Sequence, residues 1–353
     1  MSARKIRLLV ADDSPLARAI LKECIAQAED MELVAEAENG REALEKNLSL
    51  QPDLIVMDLE MPVMGGLEAI TEIMCTRAVP ILVSSAVADA GNAYEAIRRG
   101  ALDVVSKPDP SPESLKEFLS KIRILSGVPV ISHIRPSKDS QGTMVKTAAP
   151  TASSASVTSL PAAHLSRIFA IASSTGGPQT LSRILQHLPA DFRCPVVVAQ
   201  HISDGFAEGM ASWLASLCRV HVKLASDGEP LKPGVIYISP PEAHCVVTHN
   251  SRLALVAREE KDLYRPSCDR LLESVAHVYG PKAVGLILTG MGHDGVSGIH
   301  AILKAGGMTI AQNRESSMIY GMNRCAVEAG HIQKILHESE IAAEMIRLHG
   351  ERP

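Results

Sequence analysis

Three residues that could do hydrolytic chemistry follow apolar runs in the second half of the chain. Ser174 follows RIFAIAS, His201 ends CPVVVAQH, and Asp294 comes soon after AVGLILT. A serine hydroxyl becomes a nucleophile when a base lies within hydrogen-bond reach and a carboxylate orients that base. Apolar runs of this kind predict central parallel strands, whose carboxyl ends meet at one edge of a sheet. The pattern therefore indicates a Ser-His-Asp arrangement that attacks a carbonyl group.

Two of these assignments have an alternative. Ser174 lies in a strand-turn-helix segment, AIASSTGGPQTLSRIL, where a hydroxyl would equally suit a helix N-cap or a phosphate-binding turn. His293 stands beside Asp294 and competes with His201 as the base, but it ranks lower because only His201 ends a predicted strand. The segment TGMGHDG also offers backbone N–H groups that could bind an oxyanion, with Met291 the preferred donor.

A second group of polar residues follows the apolar runs of the first half. Asp12 and Asp13 come after the first run, and Asp58 ends the third. Three carboxylates at one edge repel one another unless a cation neutralises them, and Mg²⁺ is the simplest hard cation with oxygen ligands. Ser84 and Lys107 end the fourth and fifth runs, where a hydroxyl and an ammonium would bind phosphoryl oxygens. Singly, each residue could be only a solvated polar group at a strand end.

The elements that must position these residues alternate along the chain. In the first half, short apolar runs alternate with amphipathic segments, which predicts a flavodoxin-like doubly wound sheet with ligands at the carboxyl ends of its strands. These runs are IRLLVA (6–11), LVAEA (33–37), DLIVMD (53–58), VPILVSS (79–85) and ALDVVS (101–106).

The second half predicts another doubly wound, mostly parallel α/β domain. Its residues 221–257 differ, because short apolar runs there are separated by Asp-Gly, Lys-Pro-Gly and His-Asn-Ser. These are turn signals, so we expect hairpins at one antiparallel edge of the sheet.

Length and composition set the organisation of the chain. The 353 residues fit two domains. Residues 137–163 are rich in Ser, Thr, Ala and Pro and contain no aromatic residue, which is typical of a flexible linker or an extended strap. We therefore predict a first domain over 1–125, a linker over 126–165 and a second domain over 166–349.

The same composition excludes several functions. A net charge of -5 and an aromatic content of 3% argue against nucleic-acid binding. No apolar run approaches the roughly 20 residues that span a bilayer, so we expect no membrane insertion. Seven scattered cysteines without a CxxC pair fit a reducing cytoplasm better than a disulfide framework.

Residues 1–125 resemble a response-regulator receiver domain. The resemblance rests on the Asp-Asp pair, DLEMP after the third run, the hydroxyl of Ser84 and the Lys-Pro pair at Lys107. It implies that Asp58 accepts a phosphoryl group, that Asp12, Asp13 and Asp58 hold Mg²⁺, and that Ser84 and Lys107 couple the phosphate to a surface change. Val104 stands where receivers usually carry a switch aromatic.

Residues 166–330 resemble the chemotaxis-type protein-glutamate methylesterases. The shared segments are SSTGGP, QHIS, YRPSCDRLLESVA, LTGMGHDG, AGGMTIAQ and YGMNRCAVEAG. The resemblance implies hydrolysis of γ-glutamyl methyl esters on chemoreceptor helices, and deamidation of receptor glutamines. Ser174 would be the nucleophile, His201 the base and Asp294 the orienting acid, with Thr175 and the Met291 N–H at the oxyanion. Asn323 departs from the proline usual after YGM.

The resemblance also implies partners and regulation. A sensor histidine kinase would donate the phosphoryl group, and methyl-accepting chemoreceptors would be the substrate of a cytoplasmic monomer that needs no cofactor for the esterase reaction. The unphosphorylated first domain would cover the cleft of the second. The alternatives are a catalytically silent hydrolase fold that binds a partner, a DNA-binding output domain and a metallohydrolase. The last two lack a helix-turn-helix or basic stripe and an HExxH spacing.

Overall fold

The computed structural model describes residues 4–86, 90–109, 111–130, 167–259 and 261–351. Most of the predicted linker, residues 131–165, lies outside this description, so the predicted domain boundaries stay predictions. Within the described ranges no helix combines the length and the apolar composition that crossing a bilayer requires.

The first half forms a five-stranded parallel sheet with helices between its strands. The strand order is β2-β1-β3-β4-β5, as in the predicted doubly wound fold. The strands are β1 (Ile6–Ala11), β2 (Met31–Ala37), β3 (Leu54–Met57), β4 (Ile81–Ser85) and β5 (Asp103–Ser106). The helices are α1 (Pro15–Ala26), α2 (Gly40–Leu50), α3 (Gly66–Thr76), α4 (Ala90–Arg98) and α5 (Pro112–Leu125).

The strand boundaries differ from the predicted ones by a few residues. For example, β5 begins at Asp103 instead of residue 101, because Gly100 turns the chain with a φ of +115° before the strand can start. Helix starts follow ordinary capping chemistry. Ser14 accepts a hydrogen bond from the N–H of Ala17 ahead of α1, and Pro15 occupies its first turn.

The second half forms a seven-stranded parallel sheet in the order β14-β13-β12-β6-β7-β9-β8. Its strands are β6 (Ile168–Ser173), β7 (Val196–Gln200), β8 (His221–Leu224), β9 (Val235–Ile238), β12 (Ala283–Ile287), β13 (Met308–Gln312) and β14 (Lys334–Leu336). The helices are α6 (Gly177–Leu185), α7 (Ala207–Leu217), α8 (Cys268–Tyr279), α9 (Val296–Lys304), α10 (Met322–Glu328) and α11 (Glu338–Gly350). Every residue of β6, β7 and β12 is buried, as expected for strands covered on both faces.

The turn-rich segment 221–257 divides into two kinds of strand. The antiparallel hairpin is present as β10 (Ala243–Thr248) and β11 (Arg252–Ala257), in a two-stranded sheet of its own. The other two runs are not hairpin arms: β8 and β9 pair in parallel and extend the main sheet. Residues 225–234 return the chain to the starting end of the sheet, so β9 runs in the same direction as β8.

The two halves of the chain are in contact. Tyr94 of α4 stacks on Trp213 of α7 with ring centroids 5.5 Å apart, and its hydroxyl donates to the carbonyl of Phe206 at 3.2 Å. Next to this pair, the N–H of Ser106 donates to the Ser203 hydroxyl at 3.4 Å. The first half therefore lies against the face of the second half that carries the loop after β7.

Candidate active site

Adjacent strand ends bring Ser174 and His201 to the same edge of the large sheet. Ser173 and Gln200 are register partners on β6 and β7, and the N–H of His201 donates to the Ser173 carbonyl at 3.0 Å. On the opposite side, the N–H of Ser174 donates to the Thr289 carbonyl at 3.0 Å, just after β12. Ser174 thus lies between the strand end that carries His201 and the loop that carries Asp294.

The imidazole of His201 binds the carboxylate of Asp294. The Nε2 and Oδ2 atoms are 2.7 Å apart, and Asp294 is 2% exposed. The carboxylate stabilises the tautomer with its proton on Nε2, which leaves the Nδ1 lone pair to accept a proton from an alcohol. Tyr264 stacks on the imidazole with centroids 5.0 Å apart and fixes the plane of the ring.

The first turn of α8 holds the Asp294 carboxylate in place. The N–H of Cys268 donates to Oδ2 at 2.6 Å, and the N–H of Asp269 donates to Oδ1 at 3.0 Å. The Ser267 hydroxyl adds a bond to Oδ1 at 3.2 Å. Burial raises the pKa of Asp294, but the bonds from His201 and the α8 backbone outweigh burial and hold that pKa below its ordinary value. Asp294 therefore stays ionised beside the imidazole.

Asp269 makes the reciprocal contact, because its carboxylate caps the start of α9. Its Oδ1 accepts the N–H of Gly295 at 2.9 Å and of Gly298 at 2.7 Å, at the start of α9. Burial and the nearby Asp294 charge raise the pKa of Asp269 to about 6, against the lowering effect of the two N–H bonds. We call this pair of contacts the α8–α9 latch: Asp294 precedes α9 and accepts hydrogen bonds from α8, whereas Asp269 lies in the first turn of α8 and accepts hydrogen bonds from the start of α9.

The turn around Ser174 is packed without spare volume. A side chain at Gly290 would place its Cβ 2.6 Å from the Ser174 Cβ, and one at Gly177 would place its Cβ 1.9 Å from the Gln200 Oε1. Gln200 uses its amide to bind the Ser174 carbonyl at 2.8 Å. Glycine is therefore required at both positions, and the serine is fixed by its backbone.

One predicted oxyanion group, Thr175, lies in this turn, and the other, Met291, follows Gly290, which packs against Ser174. Across the described parts of the chain, the N–H groups of Thr175 and Met291 have no protein acceptor, so both are available to an oxyanion. The alternative base, His293, contacts Tyr264 instead, with its Nδ1 3.4 Å from the hydroxyl. The Asn323 departure has a structural explanation, because its buried amide bonds the Gln312 carbonyl at 3.0 Å and ties α10 to β13.

The predicted phosphoryl site lies at the carboxyl edge of the smaller sheet. The ammonium of Lys107 contacts Asp12 and Asp58, each at 2.7 Å. Burial raises the pKa of Asp58 above its ordinary value, and the Asp12 charge adds to this, while Lys107 lowers it. The Ser84 hydroxyl is buried without a hydrogen-bond partner in the described residues, as expected of a group that binds an absent oxygen.

The acidic residues fit a divalent cation. Asp12, Asp13 and Asp58 each offer a carboxylate oxygen, and these atoms lie within 4.8 Å of one another. Oxygen ligands at this separation suit Mg²⁺, which binds through a few carboxylates and water.

Several residues that hold the site together were not predicted from the sequence. Ser267, Cys268 and Asp269 have no predicted role beyond their place in a shared segment, and the pair Tyr94 and Trp213 has none. A capping signal was available for Ser267, since a serine stands directly before the amphipathic helix α8. No signal in the sequence shows that the start of α8 binds the carboxylate of Asp294, which lies 27 positions after Ser267.

Comparison with known proteins agrees with this architecture. The family model for the CheB methylesterase matches residues 169–345, and the model for the response regulator receiver domain matches residues 8–120. A protein-glutamate methylesterase/protein-glutamine glutaminase of Paramagnetospirillum magneticum is 50% identical, with 99% of this chain and 98% of that protein aligned. The protein of the same description from Thermotoga maritima is 35% identical, with 99% of this chain and all (100%) of that protein aligned.

A solved structure matches the second half. The crystal structure of the Thermotoga maritima CheB methylesterase catalytic domain is 36% identical, covers 52% of this chain and 98% of that domain, and has a TM-score of 0.50. A receiver domain joined to a methylesterase domain defines a response regulator with an enzymatic output domain. The chain belongs to the CheB methylesterase family, and in this chain a response regulator receiver domain precedes the methylesterase domain.

Proposed function

We propose that this protein hydrolyses γ-glutamyl methyl esters of chemoreceptors and deamidates receptor glutamines, and that phosphorylation of its receiver activates it. The observation that carries the proposal is the 2.7 Å contact between His201 and Asp294 at the strand edge that also presents Ser174. The names of the relatives state the same two reactions for those proteins.

The proposed reaction uses the residues as follows. The Ser174 hydroxyl attacks the ester carbonyl while His201 Nδ1 takes its proton. The tetrahedral oxyanion accepts hydrogen bonds from the Thr175 and Met291 N–H groups. His201 then returns the proton to the leaving oxygen, and methanol departs. A water molecule, deprotonated by His201, hydrolyses the glutamyl-serine ester, and ammonia replaces methanol when the substrate is glutamine.

The receiver supplies the regulation in this proposal. Asp12, Asp13 and Asp58 would hold Mg²⁺, which when bound neutralises the charge of the phosphoryl group. Asp58 accepts that group from a sensor histidine kinase, and Lys107 pairs with its oxygens. The Ser84 hydroxyl, which has no partner among the described residues, donates to one of them. A sensor histidine kinase as phosphodonor and chemoreceptors as substrate imply that the protein acts in the cytoplasm. The monomeric state expected from the sequence stays a prediction.

The contact between the halves supports inhibition by the unphosphorylated receiver. Met318 packs against Gly176, two residues after Ser174, and against the apolar core of the receiver. The Sδ of Met291, in the proposed oxyanion loop, is 3.9 Å from the Ser120 hydroxyl of α5. The receiver thus covers the rim of the cleft, and phosphorylation would shift the population towards the open form.

A methanol-release assay tests the proposal. Receptors carrying labelled methyl esters are incubated with the protein, with and without Mg²⁺ and a small phosphodonor. We expect Ser174→Ala to abolish release, and Asp58→Asn to keep the basal rate but lose activation by the phosphodonor. Ser182→Ala on α6 serves as a matched control, because among the described residues that buried hydroxyl donates to the Gln179 carbonyl of its own helix. Methanol release by Ser174→Ala would reject the assignment.

A further inference from the structure

Cys268 places a thiol beside the imidazole-carboxylate pair. Its Sγ lies 3.5 Å from His201 Nε2 and 3.4 Å from the Ala199 carbonyl. The Sγ, the Nε2 and a carboxylate oxygen of Asp294 all lie within 4.8 Å of one another. The proposed reaction needs the imidazole and the carboxylate but leaves the thiol without a task.

We propose that Cys268, His201 and Asp294 form an inhibitory zinc site that switches the esterase off. Thiolate, imidazole and carboxylate are the ligand types that Zn²⁺ prefers. Tetrahedral zinc with a Zn–S bond of about 2.3 Å and a Zn–N bond of about 2.05 Å separates its sulfur and nitrogen ligands by about 3.6 Å. The separation of 3.5 Å between Sγ and Nε2 already matches this geometry.

Zinc binding would make three bonds and displace one proton. The thiol loses its proton to solvent as the Zn–S bond forms, and the Nε2 proton is exchanged through water to Nδ1 of the same ring. The Nε2 lone pair freed in this way and an Asp294 oxygen complete three positions, with water at the fourth. The Nε2···Oδ2 hydrogen bond of 2.7 Å must open by a fraction of an ångström, because zinc replaces the shared proton.

The inhibition follows from the tautomer of His201. In the reaction, the proton sits on Nε2 and Nδ1 is the acceptor for the Ser174 hydroxyl. With zinc on Nε2, the neutral imidazole carries its proton on Nδ1, so it can only donate in that direction. Zinc therefore removes the general base without touching the nucleophile.

The surroundings of Cys268 set the strength of the site. Burial, and then the Asp294 and Asp269 charges, raise the pKa of the thiol, so the metal-free site keeps its proton. The same two carboxylates favour a divalent cation once that proton has left. His201 is slightly exposed, with 13% of its side chain accessible, which gives zinc an approach from the cleft.

Two measurements on the full-length protein test the site. The first is competition for ZnCl₂ with a chromophoric chelator, which reports binding whether or not the protein is an esterase. The second is methanol release during a zinc titration, with each variant compared with its own zinc-free rate. The variants are Cys268→Ser and Cys268→Ala, so that a folding defect in one leaves the other. Cys325→Ser is the matched control. The Cys325 thiol also lies near the active site, 3.8 Å from the carbonyl of Gly292 in the loop that carries Asp294, but it is not one of the proposed zinc ligands.

We expect zinc to inhibit the wild-type protein and EDTA to restore its rate. Both Cys268 variants should need at least about tenfold more zinc for binding and for inhibition, because each loses the thiolate ligand. Cys325→Ser should behave as the wild type. Equal zinc affinity in the wild type and both Cys268 variants would overturn the proposal. The inhibitory effect rests on the proposed function, but a chain without methanol release would still show thiol-dependent zinc binding if the site exists.

Discussion

Replacing Tyr94 by Phe tests whether the receiver inhibits the enzyme through the contact seen here. The substitution removes one bond across the interface, from the Tyr94 hydroxyl to the Phe206 carbonyl, and keeps the stacking on Trp213. The carbonyl is not orphaned by this change, because it also accepts the helical N–H of Met210 at 3.1 Å. The loss is therefore that of an ordinary hydrogen bond, about 1 kcal/mol with a range of about 0.5 to 1.5.

This free energy converts directly into basal activity. Where the closed form dominates, destabilising it by about 1 kcal/mol raises the open fraction about fivefold, with a range of about two- to thirteenfold. We expect the unphosphorylated Tyr94→Phe protein to release methanol about five times faster than the wild type. At saturating phosphodonor the two proteins should have equal rates, because both are then open.

A matched control separates this effect from a general loss of a tyrosine hydroxyl. Tyr237 is also buried, and its hydroxyl donates to the Pro230 carbonyl at 3.3 Å, within the second half. Tyr237→Phe should leave the basal rate within twofold of the wild type, whereas Trp213→Ala should raise it further than Tyr94→Phe does, since the stacking is lost as well. If neither Tyr94→Phe nor Trp213→Ala changes the basal rate, the contact does not inhibit the enzyme.

Three further predictions concern single side chains. Asp294→Asn should lower kcat about 10³- to 10⁴-fold, because an amide can donate to Nε2 and stabilise the wrong tautomer of His201; a loss under tenfold in a steady-state methanol assay would contradict the role. Ser84→Ala should slow activation by the phosphodonor about tenfold and spare the basal rate, since one hydrogen bond to the phosphoryl group is lost; an unchanged time course would reject this. Asp269→Asn should gain thermal stability relative to the wild type as pH rises from 5 to 7.5. The raised pKa of Asp269, about 6, means that the folded state binds the proton more tightly than the unfolded state, so wild-type stability falls through this window by about 1–2 kcal/mol whereas Asn does not titrate; parallel melting curves at both pH values would refute it.

The sequence was informative about this protein wherever a residue stands at the end of a buried strand. The end of a parallel strand has a defined position, so the placement of Ser174, His201 and Asp58 followed from apolar runs alone. The helical capping of α1 was also visible as a serine followed by proline. These features depend on residues close together in the chain.

The features that were not predictable depend on residues far apart in the chain. The α8–α9 latch joins Asp269 to Gly295 and Gly298 across more than 25 positions, and nothing in either segment specifies the other. The stacking of Tyr94 on Trp213 joins two domains and likewise leaves no local pattern. The direction of β9 was missed for a related reason, because a turn signal fixes where the chain bends but not which side of the sheet it returns to.

The close packing of Gly177 and Gly290 around Ser174 has a consequence for protein engineering. There is no room for a methyl group at Gly290 or Gly177, so mutational libraries at these two positions would consist almost entirely of inactive members. Diversity is better introduced at positions whose side chains do not contact the turn that carries Ser174. Laboratory evolution of new ester or amide selectivity in this scaffold should therefore leave these two glycines unchanged and vary residues farther from Ser174.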